Sequence, residues 1–101
     1  MPIEVTFHPE AREEYLDAIA WYLTHSEAIA RAFQQEAYEA VDRIREGPSH
    51  WPVIADKVRW IRLHRFPYLL YFEEASSSHV EVLAVAHANR RPGYWRGRRQ
   101  S

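Results

Sequence analysis

The sequence predicts an α+β fold in the order β-α-α-β-β-β, with a helical hairpin packed on one face of a mostly antiparallel sheet. Two stretches in the first half repeat apolar residues at spacings of three and four, which is typical of helices. Three β-rich runs in the second half are joined by short connections, which is typical of an antiparallel meander. Because two paired helices alone cannot cover their apolar stripes, we expect the hairpin to lie on the sheet.

Composition limits the class of protein. The chain has 101 residues, which predicts one domain spanning residues 1–101. It has no cysteine, so it has no disulfide framework and no thiol nucleophile, and a cytoplasmic location is expected. No apolar run approaches the roughly 18 residues of a membrane span, so we expect no membrane partner.

The first strand and helix are predicted from alternation and capping. Residues 3–7 alternate apolar and polar, and Pro9 then suits the first helical position, with His8 as the cap. We expect this helix to reach about Thr24. Its predicted apolar face comprises Tyr15, Leu16, Ile19, Tyr22 and Leu23. The acids Glu10, Glu13 and Glu14 are interpreted as a solvated helix start.

The second helix has clear signals at both ends. Ser26 is a good N-cap, and Gly47 followed by Pro48 predicts the end. Its predicted buried side comprises Ile29, Phe33, Ala37, Ala40, Val41 and Ile44. Residues 49–57 are interpreted as a connector, with residues 51–54 against the core.

The central strand is predicted at residues 66–72, the most aromatic and least charged stretch. Pro67 marks its start, because proline cannot donate to a sheet ladder. The residues that follow are apolar on both sides, as in a strand inside a sheet. Residues 58–65 and 80–86 are its predicted neighbours.

The chain ends in a basic tail. Residues 88–99 contain five arginines and no acid. We expect a short helix or an arm held by Tyr94 and Trp95, frayed from Gly97 onward. Residues 1–57 carry eleven acids and five bases, whereas residues 58–101 carry three acids and eight bases. This division favours an anionic partner or an acidic protein segment, or else attraction between the two halves.

Common catalytic and cofactor motifs are absent from the sequence. The six histidines lack metal-ligand spacing, so neither a metal nor another cofactor is expected. No nucleophile elbow, phosphate-binding glycine loop or dinucleotide fingerprint occurs. The remaining candidate is His87, which ends the last strand and precedes Arg90, Arg91, Tyr94 and Trp95. Such a group could cleave a phosphodiester or stack on bases, or it could be purely structural.

Three motifs, together with the element order, resemble the RelE/ParE superfamily of toxin–antitoxin toxins. They are Ala-Arg-x-x-Tyr-Leu at 11–16, Arg-x-x-x-Phe-Pro-Tyr-x-x-Tyr at 62–71 and His-x-x-Arg-x-Pro-x-Tyr-Trp at 87–95. The ParE-like plasmid stabilisation branch is the most similar. The resemblance implies a small growth-inhibiting toxin, neutralised by a cognate antitoxin in a toxin–antitoxin hetero-oligomer.

The resemblance also implies two possible targets. ParE toxins poison DNA gyrase, whereas RelE toxins cut mRNA in the ribosomal A site. RelE toxins use an arginine in the central strand and several lysines, but this chain has Tyr68 at that position and Lys57 as its single lysine. We therefore expect inhibition of gyrase by protein–protein contact.

Residues are assigned to each role as expectations. The target would be bound by Arg91, Trp95 and Arg96, and the antitoxin by Arg59 and Arg62. An alternative RNase, acting on the ribosome and mRNA, would use His87, Arg62, Arg90 and Tyr94 as catalytic residues. A third reading is a non-toxic binding module that keeps the toxin fold.

Overall fold

The computed structural model describes residues 2–99 and contains two helices packed on a five-stranded mixed sheet. The strands are β1 (Glu4–Phe7), β2 (Val53–Ala55), β3 (Val58–Arg62), β4 (Tyr68–Ser76) and β5 (His79–His87). The helices are α1 (Pro9–Leu23) and α2 (Glu27–Glu46). The spatial order is β1-β5-β4-β3-β2, with β1 parallel to β5 and the other pairs antiparallel. The predicted α+β class and the central position of β4 are confirmed.

Helix α1 begins as predicted but buries a narrower face. The His8 side chain accepts a hydrogen bond from the Glu10 backbone N–H at 3.1 Å, and Pro9 opens the helix. Ala11 and Ala18 are buried, and Tyr15, Ile19 and Tyr22 pack against the core as predicted. Leu16 and Leu23, which were predicted to face the core, are about half exposed. The prediction was wrong there because both residues lie at the edge of the contact face.

Helix α2 follows its sequence signals closely. Ser26 Oγ accepts from the Ile29 N–H at 3.3 Å, and Phe33, Ala37, Ala40 and Ile44 are buried. Ile29, in the first turn of the helix, is 43% exposed, so the prediction that it is buried was wrong.

Glu36 is a charged residue on the buried side of α2. Its carboxylate accepts hydrogen bonds from the backbone N–H groups of His64 and Arg65, which fixes the loop before β4. Burial acts to raise the pKa of Glu36, but these bonds and the Arg65 guanidinium lower it overall.

Strand β2 departs from the predicted connector. Val53–Ala55 pairs with β3 at the edge of the sheet. Val53 and Ile54 are 50% and 48% exposed, because an edge strand can be held by backbone hydrogen bonds while its side chains face solvent. Within this segment Trp51 does pack against the core, as expected.

The sheet is covered on both faces. The helices cover a large cluster that includes Phe33, Leu70 and Phe72, and the tail covers a smaller cluster containing Val58, Leu83, Ala84 and Trp95 on the opposite face. The tail ends in a short 3₁₀ turn at Arg96–Arg98. Within residues 2–99, no helix is long and apolar enough to cross a membrane.

Candidate functional site

A cleft of about 530 Å³ opens between α1, the adjoining ends of β4 and β5, and the tail. Its lining residues are Glu14, Asp17, Ala18, Trp21, Tyr22, Pro67, Tyr68, Val85, His87, Arg90 and Tyr94. The cleft brings the candidate residues His87, Arg90 and Tyr94 together. Within residues 2–99, no three His, Asp or Glu side chains are grouped so that they could hold a metal ion.

The tail wall of the cleft is anchored by Trp95. Its side chain is 2% exposed and packs on Tyr71, with ring centroids 5.3 Å apart. Gly93 has a φ of 78°, and this left-handed conformation lets the chain turn just before the anchor. The tail around Trp95 is thus a fixed part of the structure.

Glu14 and Arg98 form the main polar link between α1 and the tail. Arg98 Nη1 and Nη2 donate to the two carboxylate oxygens of Glu14 at 2.9 and 3.0 Å, and Tyr94 Oη donates to Glu14 at 2.8 Å. Arg98 also lies 3.3 Å from Glu10. The prediction that Glu14 belongs to a solvated helix start was wrong. The prediction of fraying from Gly97 onward was wrong as far as Arg99, and residues 100 and 101 lie outside the described residues.

Glu14 and Arg98 also provide hydrogen-bond partners for the edge of β5. Strand β1 pairs with β5 only as far as Val82. Beyond that point the Val85 N–H donates to Glu14 at 3.0 Å, and the Leu83 carbonyl accepts from Arg98 at 3.0 Å. The two side chains therefore pair with backbone N–H and C=O groups of β5 that would otherwise need a neighbouring strand.

These contacts fix the protonation states in the cleft wall. Burial, and then the hydrogen bond to Glu14, raises the pKa of Tyr94 far above its ordinary value. The hydrogen bond to Glu14 also raises the pKa of Arg98. At neutral pH the Tyr94 hydroxyl is consequently protonated, and it donates its hydrogen bond to Glu14.

His87 and Arg90 provide the more available polar groups. The Asn89 N–H donates to His87 Nδ1 at 3.1 Å, so a neutral His87 carries its proton on Nε2. The His87 ring meets Tyr68 edge-on, with centroids 5.3 Å apart. The Arg90 guanidinium lies 3.9 Å from the Tyr94 ring centroid, which is cation–π geometry.

Arg62 does not lie in this cleft. His87 pairs with Tyr68, which shares the helix-covered face with Leu70. Arg62 pairs with Leu69, and successive residues of a strand point to opposite faces. Arg62 is therefore on the face opposite His87, and the four residues of the RNase alternative do not converge.

A family model described as "ParE toxin of type II toxin-antitoxin system, parDE" matches residues 5–92. The chain belongs to this ParE toxin family. A solved structure titled "Chromosomal ParDE TA system from P. aeruginosa" is similar in fold, with a TM-score of 0.72 and 16% identity over 84% of this chain and 95% of that chain. No curated protein matches. Membership of a toxin–antitoxin family implies an antitoxin partner.

The residues expected to bind partners of this ParE-family toxin differ in accessibility. Arg91 and Arg96 are exposed, whereas Trp95 is buried and cannot be a surface anchor in this conformation. Arg59 Nη1 donates to the Trp51 carbonyl at 2.6 Å, and its Nε lies 3.7 Å from Glu74. Arg59 is thus largely engaged within the chain, while Arg62 is exposed.

Sequence reasoning missed four residues of this region: Glu14, Asp17, Trp21 and Arg98. Glu14 and Arg98 are 84 positions apart, so no local pattern links them. Trp21 offered a usable signal, because a tryptophan outside the apolar stripe of a helix tends to mark a contact surface.

Proposed function

We propose that this ParE-family toxin inhibits DNA gyrase in the cytoplasm by protein–protein contact, and that its tail makes the contact. The observation that carries the proposal is a pair of exposed arginines on a fixed tail. Arg91 and Arg96 have no ion pair within residues 2–99. The buried Trp95 fixes the backbone between the two arginines, and the Arg98 bond to Glu14 fixes it after Arg96. Arginines presented on a rigid support are typical anchors of protein interfaces.

The arrangement of the other basic residues supports contact over cleavage. An RNase would need Arg62 and Arg90 to converge on one phosphate, but Arg62 lies across the sheet from His87. Tyr94 is held as a neutral donor to Glu14, which makes it a poor proton carrier.

The test is a supercoiling assay with purified gyrase and the purified chain. We expect inhibition with accumulation of broken DNA, and Arg91→Ala combined with Arg96→Ala should weaken it about tenfold or more. Arg31→Ala is the control, because Arg31 is also exposed but lies on α2, where it pairs with Glu27. Trp95→Ala is unsuitable as a probe because Trp95 is a core residue. Full gyrase activity at a saturating concentration of the chain would refute the proposal.

A second candidate is a ribosome-dependent mRNA endonuclease, and it is favoured by one observation: His87, Arg90 and Tyr94 line the same cleft. A translation assay run in parallel distinguishes it. Cuts in the ribosomal A site that fall about 10² to 10⁴-fold in rate with His87→Ala would establish this activity.

A further inference from the structure

The rim of the cleft carries an exposed aromatic side chain. Trp21 is 57% exposed, although its ring meets the partly buried Tyr22 at a centroid distance of 5.1 Å and lines the same cleft as Tyr68. An exposed tryptophan beside a concave, partly apolar surface is typical of an interaction site. The volume of about 530 Å³ lies in the lower half of the range for ligand pockets. It suits one or two large side chains.

The two rims of the cleft carry opposite charges. On the tail side, Arg90 stacks on Tyr94 but has no ion pair within residues 2–99. On the α1 side, Asp17 is exposed and likewise has no ion pair in the described chain. The third charge, Glu14, is already neutralised by Arg98. An occupant with a carboxylate would therefore be favoured near Arg90 and disfavoured near Asp17.

We propose that this cleft is the anchor site for the antitoxin. The antitoxin segment would insert an aromatic or large aliphatic side chain between Trp21 and Tyr68, with an acidic residue beside it directed at Arg90. The rim charges would set the direction in which the segment lies. This inference rests on the toxin–antitoxin part of the proposed function but not on gyrase being the target.

This cleft is a better candidate than the pair Arg59 and Arg62. The Arg59 guanidinium donates to the carbonyls of Ser49 and Trp51, so a partner would have to displace these bonds. Arg62 is exposed but lies on the other face of the sheet. Of these two candidate sites, the cleft is the one that combines an available cation, Arg90, with aromatic and aliphatic lining residues.

The first experiment measures affinity for the purified product of the neighbouring reading frame, identified as the antitoxin by its rescue of growth. Trp21→Ala and Arg90→Glu should each weaken binding about tenfold or more. Matched controls are Tyr38→Ala, an exposed aromatic on α2, and Arg12→Glu, an exposed arginine on α1 that does not line the cleft. Circular dichroism melts establish that all variants fold. Affinities within twofold of the parent for both cleft variants, or equal losses in the controls, would overturn the proposal.

The second experiment uses the absence of cysteine from the chain. A bulky maleimide on Asp17→Cys should block antitoxin binding, whereas the same label on Ser77→Cys, in the turn between β4 and β5, should leave it intact. Tight binding by the chain labelled at position 17 would refute the anchor site. The gyrase assay on the unlabelled parent is read separately, so the target proposal can fail while the antitoxin site stands.

Discussion

Glu14 shows how much can depend on a single carboxylate. It receives hydrogen bonds from the Val85 backbone, the Tyr94 phenol and the Arg98 guanidinium, and so joins α1, β5 and the tail. The side chains of Glu14 and Arg98 are 17% and 10% exposed, so water can replace little of this network. Removing one member of such a pair leaves the other charge poorly solvated.

We therefore predict that Glu14→Ala lowers the free energy of unfolding by about 2 to 4 kcal/mol. The loss arises because the Val85 N–H loses its acceptor and Arg98 is left with the exposed Glu10, the Leu83 carbonyl and the Tyr94 ring as partners. Urea unfolding measures it. Glu13→Ala is the control, since Glu13 is an exposed neighbour on α1 and should change stability by less than about 0.5 kcal/mol. Equal effects of the two substitutions would show that the network contributes nothing.

At the scale of elements, β4 is the strand on which the rest of the sheet is built. It lies third of five, between β5 and β3, and Leu70 and Phe72 point from it into the core beneath the helices. The Leu70 side chain is 1% exposed.

Leu70→Ala should accordingly cost about 2 to 5 kcal/mol, as expected for a cavity in a packed core. Leu16→Ala is a matched control, because it removes the same atoms from a leucine that is 49% exposed. It should cost well under half as much. Denaturant unfolding of both variants checks this, and a smaller loss for Leu70 than for Leu16 would contradict the packing described for β4.

The elements that the sequence predicts well are those with a strong periodic pattern and an end signal. Helix α2 has both, from Ser26 to Gly47, and β4 has a proline at its start. The short strand β2 has neither, because its three residues are held by pairing with β3 and not by burial. The ordered end of the tail was likewise hidden, since Arg99 pairs with Glu73 from 26 positions away.

Over the whole molecule, part of the opposite charge on the two halves is used in ion pairs between them. Basic residues of the second half pair with acids of the first through Arg98 with Glu14, Arg99 with Asp56 and Arg65 with Glu36. The predicted attraction between the halves is thus seen. Arg62, Arg90, Arg91 and Arg96 are exposed and have no ion pair within residues 2–99. These four are the residues through which the basic surplus could reach a partner.

Over the whole molecule, partly buried tyrosines make the free energy of unfolding depend on pH in the alkaline range. Five tyrosines have a pKa raised above the ordinary value of 10.0, chiefly by burial: Tyr15, Tyr22, Tyr68, Tyr71 and Tyr94. In the unfolded chain they lose their protons near that value, while the native chain still holds them. The native state then binds more protons than the unfolded state, so stability falls as pH rises. Below about pH 10 the stabilisation that comes from keeping these tyrosines protonated is fully present.

We predict a flat free energy of unfolding from about pH 8 to 9.5 and a progressive loss above about pH 10, of at most about 1.4 kcal/mol per pH unit for each tyrosine. Arginine stays charged in this range and the chain has one lysine, so few other groups titrate there. Tyr94→Phe should make the decline shallower. Urea unfolding at a series of pH values gives the slopes. A rise in stability above pH 10, or an unchanged slope in Tyr94→Phe, would contradict the burial of the Tyr94 phenol against Glu14.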